Sequence, residues 1–426
     1  MSTDNPIRSY TWQISKAAIS FLSVIIYSQF LGADGRGELS VWLLILQVTL
    51  MFNEWVMGSA MANWYTQFGF NTVIRRTWFF PILVLGISYF LALLFNIPAS
   101  IFVYLAFIGI GITIQNVLAN YFQSTGEVLI RNKWQFSYEL VKVMFLIIAL
   151  LLFYNGILNS LSNGVELTLL TISISAILWV IGSLIFFRKQ EKKSERTTTE
   201  FPKISVILKE GFWAQFGHLL LFLIFKAPIY FAAKYSGDSL AGVIANTLLI
   251  ADTVWIFANT FGMVIHARAL EKNNLQYHNK VASRFLVFSF WGTTIIAVLI
   301  LLIPQNTYEW IFGNEFGEMR ELWRLIFPSI IAMSLSAVIG NLLHAQNRFV
   351  ELARNHFFAL VIMMTSFVLM KNFEVSVKYT LLYSFDVGVV FLMIFNLLSS
   401  NIRIFNKRLW VVNTLILLRL VKIRID

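Results

Sequence analysis

Cysteine is absent from the 426 residues, so no disulfide, thiolate metal site or thiol nucleophile can be built. Charge is scarce too. Asp, Glu, Lys and Arg make up 13% of the chain, against roughly 25% in an ordinary soluble domain. No Walker A run occurs, so nothing indicates an ATP motor. Neither His-Glu-x-x-His nor Gly-x-Ser-x-Gly is present. No small-residue cleavage site follows the first apolar segment, which is long for a signal peptide, and none is expected to be removed.

What remains is apolar. Hydrophobic residues make up 58% of the chain and fall into segments of about 20, the length that crosses a bilayer core as a helix. Twelve spans are predicted, near 10–31, 38–64, 77–95, 99–122, 137–157, 166–187, 210–233, 240–267, 285–303, 321–344, 356–370 and 377–398. The fold class is an all-α polytopic membrane protein. With the N-terminus placed in the cytoplasm, 24 of the 33 Lys and Arg fall in cytoplasmic segments. Four fall outside (Arg36, Lys234, Arg320, Lys371) and five within spans (Lys16, Lys142, Lys226, Arg324, Lys378). That asymmetry predicts an orientation with both termini cytoplasmic. It also explains the net charge of +11 without nucleic acid as a partner. The longest outside loop is 304–320, short for a membrane glycosyltransferase or polymerase that must hold an acceptor.

A basic segment, 188–209, reads as a solvated cytoplasmic linker between a first half, 1–187, and a second, 210–398. The tail 399–426 is basic, with an apolar run from Trp410 to Leu418 too short to span. It is predicted as a helix at the membrane surface, meeting anionic lipid.

The two halves resemble each other. A unit of two helices about the turn Gly32–Glu38 returns about Ser236–Gly242, at a shift of 205 that places Gly37 on Gly242. Gln47 then falls on Asp252, Glu54 on Asn259 and Met61 on His266. A second match at a shift of 221 places Thr113 on Ser334 and Asn120 on Asn341. Six spans per half make the repeats parallel, related by an axis along the membrane normal, with a central cavity expected between them.

Polar stripes run through these helices. Gln13, Lys16, Ser20, Ser23 and Tyr27 share one face of span one, and Gln47 and Glu54 lie two turns apart in span two. Gln215, His218, Lys226 and Tyr230 share a face of span seven, and Asp252, Trp255, Asn259 and His266 a face of span eight. A charged side chain at the bilayer centre costs at least ~2.5–3.5 kcal/mol, so such stripes are predicted to face a wet cavity. Each has a plainer reading beside it. Lys16 is near enough to its helix end to snorkel, whereas Lys226 lies mid-span. Glu54 and Asp252 read either as partners of these lysines or as ligand contacts. Burial of such an acid–base pair would also suit H+ or Na+ coupling. His218 reads as a helix–helix hydrogen bonder or a ligand. His266 and Arg268 end span eight on the cytoplasmic side, where topology alone explains a cation. Arg324 and Asp386 fall within spans, on faces the pattern does not fix. The Asn, Ser and Thr residues of spans four and ten suit interhelical packing.

The turn Leu31-Gly32-Ala33-Asp34-Gly35-Arg36-Gly37-Glu38-Leu39 resembles the "LG..GRG.L" turn of polysaccharide exporters in the multidrug/oligosaccharidyl-lipid/polysaccharide (MOP) superfamily. The segment Ile311–Phe316, followed by Leu325-Ile326-Phe327-Pro328 and by Asn341–Asn347, is similar to that family's tenth-span region. The nearest branch is the O-antigen (Wzx-like) flippases. The resemblance implies movement of an undecaprenyl-diphosphate-linked oligosaccharide from the cytoplasmic to the periplasmic leaflet, and no enzymatic chemistry. It also implies a polysaccharide polymerase and other assembly proteins as partners. The drug-exporting branch usually carries a carboxylate and a proline in its first span, and this span has neither. On this reading Lys16 and Lys226, with Arg268 and Arg324, compensate diphosphate charge. Gln13, Tyr27, Gln47, Tyr230, Trp255 and Asn259 meet sugars. Glu54 and Asp252 serve coupling, and His218 and His266 either role. A cation-coupled small-molecule exporter is the alternative, with a membrane polymerase behind it.

Overall fold

A computed structural model of the chain describes residues 6–57, 65, 68–94, 97–125, 127–157, 163–190, 204–271, 275–346 and 348–400. Most of the linker and the tail from 401 onward lie outside these residues, as do the side chains of Glu54, His266 and Arg268.

Fourteen α-helices are described. They are α1 Pro6–Met57, α2 Phe70–Thr77, α3 Phe79–Leu94, α4 Ala99–Ser124, α5 Val128–Tyr154, α6 Gly164–Gln190 and α7 Ile204–Ser236. There follow α8 Asp238–Glu271, α9 Leu275–Leu301, α10 Gln305–Phe312, α11 Met319–Leu325, α12 Phe327–Ala345, α13 Phe349–Asn372 and α14 Val377–Ser400. Among the described residues, eleven stretches are long and apolar enough to cross a membrane, so the chain is a multi-pass membrane protein. The first, Thr11–Asn53, is 43 residues long. At 1.5 Å per residue this is about twice a bilayer core.

That length resolves into two arms. Gly32 alone leaves helical geometry, at φ 67°, a left-handed conformation that favours glycine. The arm before it meets α5, with Lys16 near its start against Gln135 and Phe30 near its end against Phe153. The arm after it starts beside the beginning of α6, where Gly35 faces Val165, and Asn53 further along donates to Thr113 on α4. Phe30 itself lies against Gly164 at the start of α6. Both arms therefore leave one place, and the first two predicted spans are joined by one residue. The polar turn expected over 32–38 is helical from Ala33 onward. Arg36, counted from the sequence among outside-loop cations, is buried in that helix and donates to Ser40 Oγ at 2.7 Å.

Two compact units form. The first comprises residues 1–219 with 237–243 and 309–316; the second comprises 220–236, 244–308 and 317–426. In the first, small residues bring helices close: a Cβ on Gly111 of α4 would overlap Ala176 of α6, and Ser173 of α6 donates to the Tyr104 carbonyl at 3.1 Å. In the second, polar side chains join α12, α13 and α14. Asn355 donates to Asn396 at 3.0 Å, and Asn396 to Ser336 at 2.7 Å.

Equivalent packing recurs under the 205 shift. Phe30 lies 5.5 Å from Phe153 on α5, and Tyr235, its counterpart, lies 5.8 Å from Phe367 on α13. At the turn the contact is reciprocal. A Cβ on Gly37 would press on the Asp238 carbonyl and lie 2.9 Å from Gly242 N. One on Gly242 would press on the Ala33 carbonyl and lie 3.0 Å from Gly37 N. Ala33 and Asp238 are themselves counterparts, so each copy touches the other with the same atoms, as a local twofold requires.

Candidate functional site

In the first unit the polar stripe of α1 packs on α5. Lys16 Nζ donates to Gln135 Oε1 at 3.2 Å, Trp12 meets Phe136 at 4.8 Å, and Lys133 lies over the Trp12 ring. The charged neighbours of Lys16 are Glu139, Arg131 and Lys142. Glu139 and Lys142, one helical turn apart on α5, form an ion pair at 2.5 Å with side-chain exposures of 12% and 14%. Tyr27 is buried, with Lys142 and Glu139 among its neighbours. Its hydroxyl makes no hydrogen bond of ordinary geometry, although Ser23 lies beside it. The Arg131 Nε is also buried without an acceptor among the described residues. Lys16 thus has one carboxylate, Glu139, and two cations, Arg131 and Lys142, among its charged neighbours, a positive surplus within helices long enough to span.

The other expected residues of this unit do not join the cluster. Gln13 is half-buried at the start of the stripe, and Gln47 is exposed on the second arm. His218 is half-buried on α7. Nearby, Gln215 donates to the Met51 carbonyl at 3.3 Å beside a small apolar cleft of about 50 Å³ lined by Trp55, Phe212 and Phe216.

In the second unit Lys226 and Asp252 meet at 3.0 Å, joining α7 to α8. Their side chains are 22% and 40% exposed, so the pair is neutral and partly open. Of the two partners expected for the lysines, Asp252 fills that role; Glu54 lies outside the described side chains. Trp255, expected to stack on sugar, is packed away instead. It is 4% exposed, its Nε1 donates to the Ile330 carbonyl at 3.1 Å, and Phe225 covers its ring at 4.6 Å. Tyr27 is withdrawn from an open surface in the same way. Tyr230 and Asn259 remain exposed. Asp386 is buried and accepts from Ser329.

Arg324 was expected inside a span. It lies on α11 and is exposed, because the span begins only at Phe327, with Pro328 in the first turn of α12. Lys378, at the first turn of α14, pairs with Glu318 and Glu321 of this loop region at 3.4 and 3.2 Å. Burial works against the Glu321 charge. Hydrogen bonds from Tyr379 and Lys378, and the Lys378 charge, outweigh it and hold that carboxyl below its ordinary range.

Sequence reasoning missed Gln135, Glu139 and Arg131, and left Lys142 without a role. The Glu-x-x-Lys spacing inside an apolar run was the available signal. Among the described residues, no cluster of His, Asp and Glu suits a metal ion.

No protein-family model matches this chain, and no curated protein matches its sequence. Solved structures do match. An inward-facing multidrug-resistance MATE transporter of the MOP superfamily aligns at a TM-score of 0.62 and 12% identity, over 92% of this chain and 98% of its own. The eukaryotic MATE transporter AtDTX14 aligns at 0.59 and 13%, over 92% and 91%. The lipid II flippase MurJ, in an inward closed conformation, aligns at 0.57 and 12%, over 92% and 87%. Across nearly its whole length, the chain therefore has the helical fold of these solved structures.

Proposed function

We propose that the chain translocates an undecaprenyl-diphosphate-linked oligosaccharide repeat unit across the bacterial inner membrane, from the cytoplasmic to the periplasmic leaflet. The observation that carries this reading is the positive surplus about Lys16. Lys16 has Arg131 and Lys142 against one carboxylate, Glu139, among its charged neighbours, Lys142 already pairs with that carboxylate, and an uncompensated charge among apolar helices is costly. A diphosphate headgroup supplies the missing negative charge. Lys16 and Arg131 are assigned to it, since Lys142 is already held by Glu139. Lys226 loses the headgroup role that the sequence suggested, because Asp252 neutralises it. Tyr230, Asn259 and Gln47 are left as sugar contacts because they stay exposed. With no ATP motor in the sequence, the cycle draws on an ion gradient, membrane potential or consumption of product, and alternating access rocks the two halves. Both termini are cytoplasmic on this reading, and the basic tail lies on anionic lipid.

One observation favours a second reading, cation-coupled export of small molecules. Asp252 keeps a carboxylate 40% exposed within a span. Lipid-linked oligosaccharide should accumulate on the cytoplasmic leaflet of a deletion strain, and wild type but not Lys16→Gln should clear it. Periplasmic but unpolymerised repeat units would point to a polymerase instead. Clearance by neither protein, together with lost drug resistance, would favour the exporter.

A further inference from the structure

The break at Gly32 frees backbone groups that a continuous helix would have satisfied, since the first N–H groups of a helix have no intrahelical acceptor. One of them is taken by a side chain nearly 300 residues away. Glu315 Oε2 accepts from Ala33 N–H at 2.5 Å. Glycine at 32 serves this twice: its φ of 67° turns the chain, and a Cβ there would stand 2.8 Å from the same carboxylate oxygen. One turn earlier, Gln29 Nε2 donates to the carbonyls of Ile311 at 2.8 Å and Trp310 at 3.3 Å. Phe312 is buried, with its ring 5.9 Å from Phe21. The left-handed Gly313, at φ 115°, sets the 3-10 turn Asn314–Phe316 that aims Glu315 at the kink. Beneath Gly313 lies the carbonyl of Ser28, a residue that is itself fully buried.

We infer that Glu309–Phe316 is a strap that latches over the kink of α1 and undocks during the working cycle. Its attachment suits reversal. It rests on one plugged ring packed against Phe21, and on one amide and one carboxylate that each meet backbone on the other segment. The carboxylate bond is charge-assisted and therefore the strongest of the three. The latch stands whatever cargo the protein moves.

The absence of native cysteine makes the test clean. Ser28→Cys is placed as a reporter beneath the strap, and its reaction with a membrane-impermeant maleimide is followed on cells. Combining it with Gln29→Ala and Glu315→Ala should raise the labelling rate about tenfold, the scale of two lost hydrogen bonds. Glu315→Gln, nearly isosteric, keeps the chain folded if the double variant does not reach the membrane, and should raise it about threefold. In a second protein, Gln29→Cys and Ile311→Cys are joined by a short bis-methanethiosulfonate reagent, each thiolate displacing methanesulfinate to form a reducible disulfide. Translocation should stop and return on reduction. Unchanged labelling in the Glu315 variants, or full translocation with the strap cross-linked, would overturn the latch. The labelling arm needs no substrate, so its failure is distinct from failure of the proposed function.

Discussion

The two units solve the same difficulty, charge among apolar helices, in different ways. In the second, Lys226 and Asp252 cancel each other across α7 and α8, and the pair stays partly open. In the first, Glu139 and Lys142 cancel on α5, and Lys16 and Arg131 are left over beside them. A neutral pair asks for nothing further. A surplus in a poorly solvated place asks for an anion, and that difference separates a binding role from a supporting one.

Breaking the buried pair should have the largest effect. Lys142→Met removes the one cation that Glu139 contacts directly, and breaking a buried pair costs up to about 3–5 kcal/mol, less whatever the nearby Lys16 charge restores. Folded yield and melting temperature in detergent should fall sharply, and Glu139→Gln combined with Lys142→Met should restore much of the loss. Lys16→Gln should leave folding nearly intact. Removing one charge-assisted contact to a headgroup, worth ~1.5–3 kcal/mol, lowers translocation about tenfold to a hundredfold. Gly37→Ala probes what the two repeats share. The Cβ presses on the Asp238 carbonyl, and overpacking of this kind costs about 1–3 kcal/mol in melting experiments. Gly242→Ala should match it, because the contact is reciprocal; a large disparity would break the symmetry argument.

The smallest effects belong to the open pairs. Asp252→Asn should change translocation by no more than about threefold, since partly exposed pairs contribute about 0–1 kcal/mol. Complete loss would instead move the coupling role to Asp252 and favour the exporter. Glu321 gives a pH signature of the same modest size. Its carboxyl is held below the ordinary range, so its contribution is present at neutral pH and lost as pH falls through the lowered folded value. Exposure of 43% limits that contribution to a fraction of ~1 kcal/mol. Glu321→Gln should remove the corresponding slope in melting temperature below about pH 4.

The spans were legible because length and apolarity fix them almost alone. The kink was only half legible. Gly32 was noticed inside a polar run, but Asp34, Arg36 and Glu38 suggested a loop where one residue suffices. Helix resumes because Arg36 reaches Ser40 one turn on, and Ala33 finds its acceptor in Glu315, far away in sequence. Lys226 and Asp252, on separate stripes, were read either as partners or as ligand contacts, and the structure pairs them. Trp255 was misread because an aromatic on a polar stripe looks like a sugar platform, whereas its indole N–H has a carbonyl to satisfy on α12. The α5 cluster escaped because the polar stripes were followed through the repeated helices of spans one, two, seven and eight, and Glu139 and Lys142 lie on span five, which left Lys16 apparently alone.

The most direct test compares two lysines in proteoliposomes carrying a fluorescent lipid-diphosphate oligosaccharide. Lys16→Gln and Lys226→Gln are purified, matched for folded protein, and assayed for accessible fluorophore over time. The account predicts that Lys16→Gln falls to near the protein-free rate while Lys226→Gln stays within about threefold of wild type. Equal rates for Lys16→Gln and wild type, or loss confined to Lys226→Gln, would contradict it.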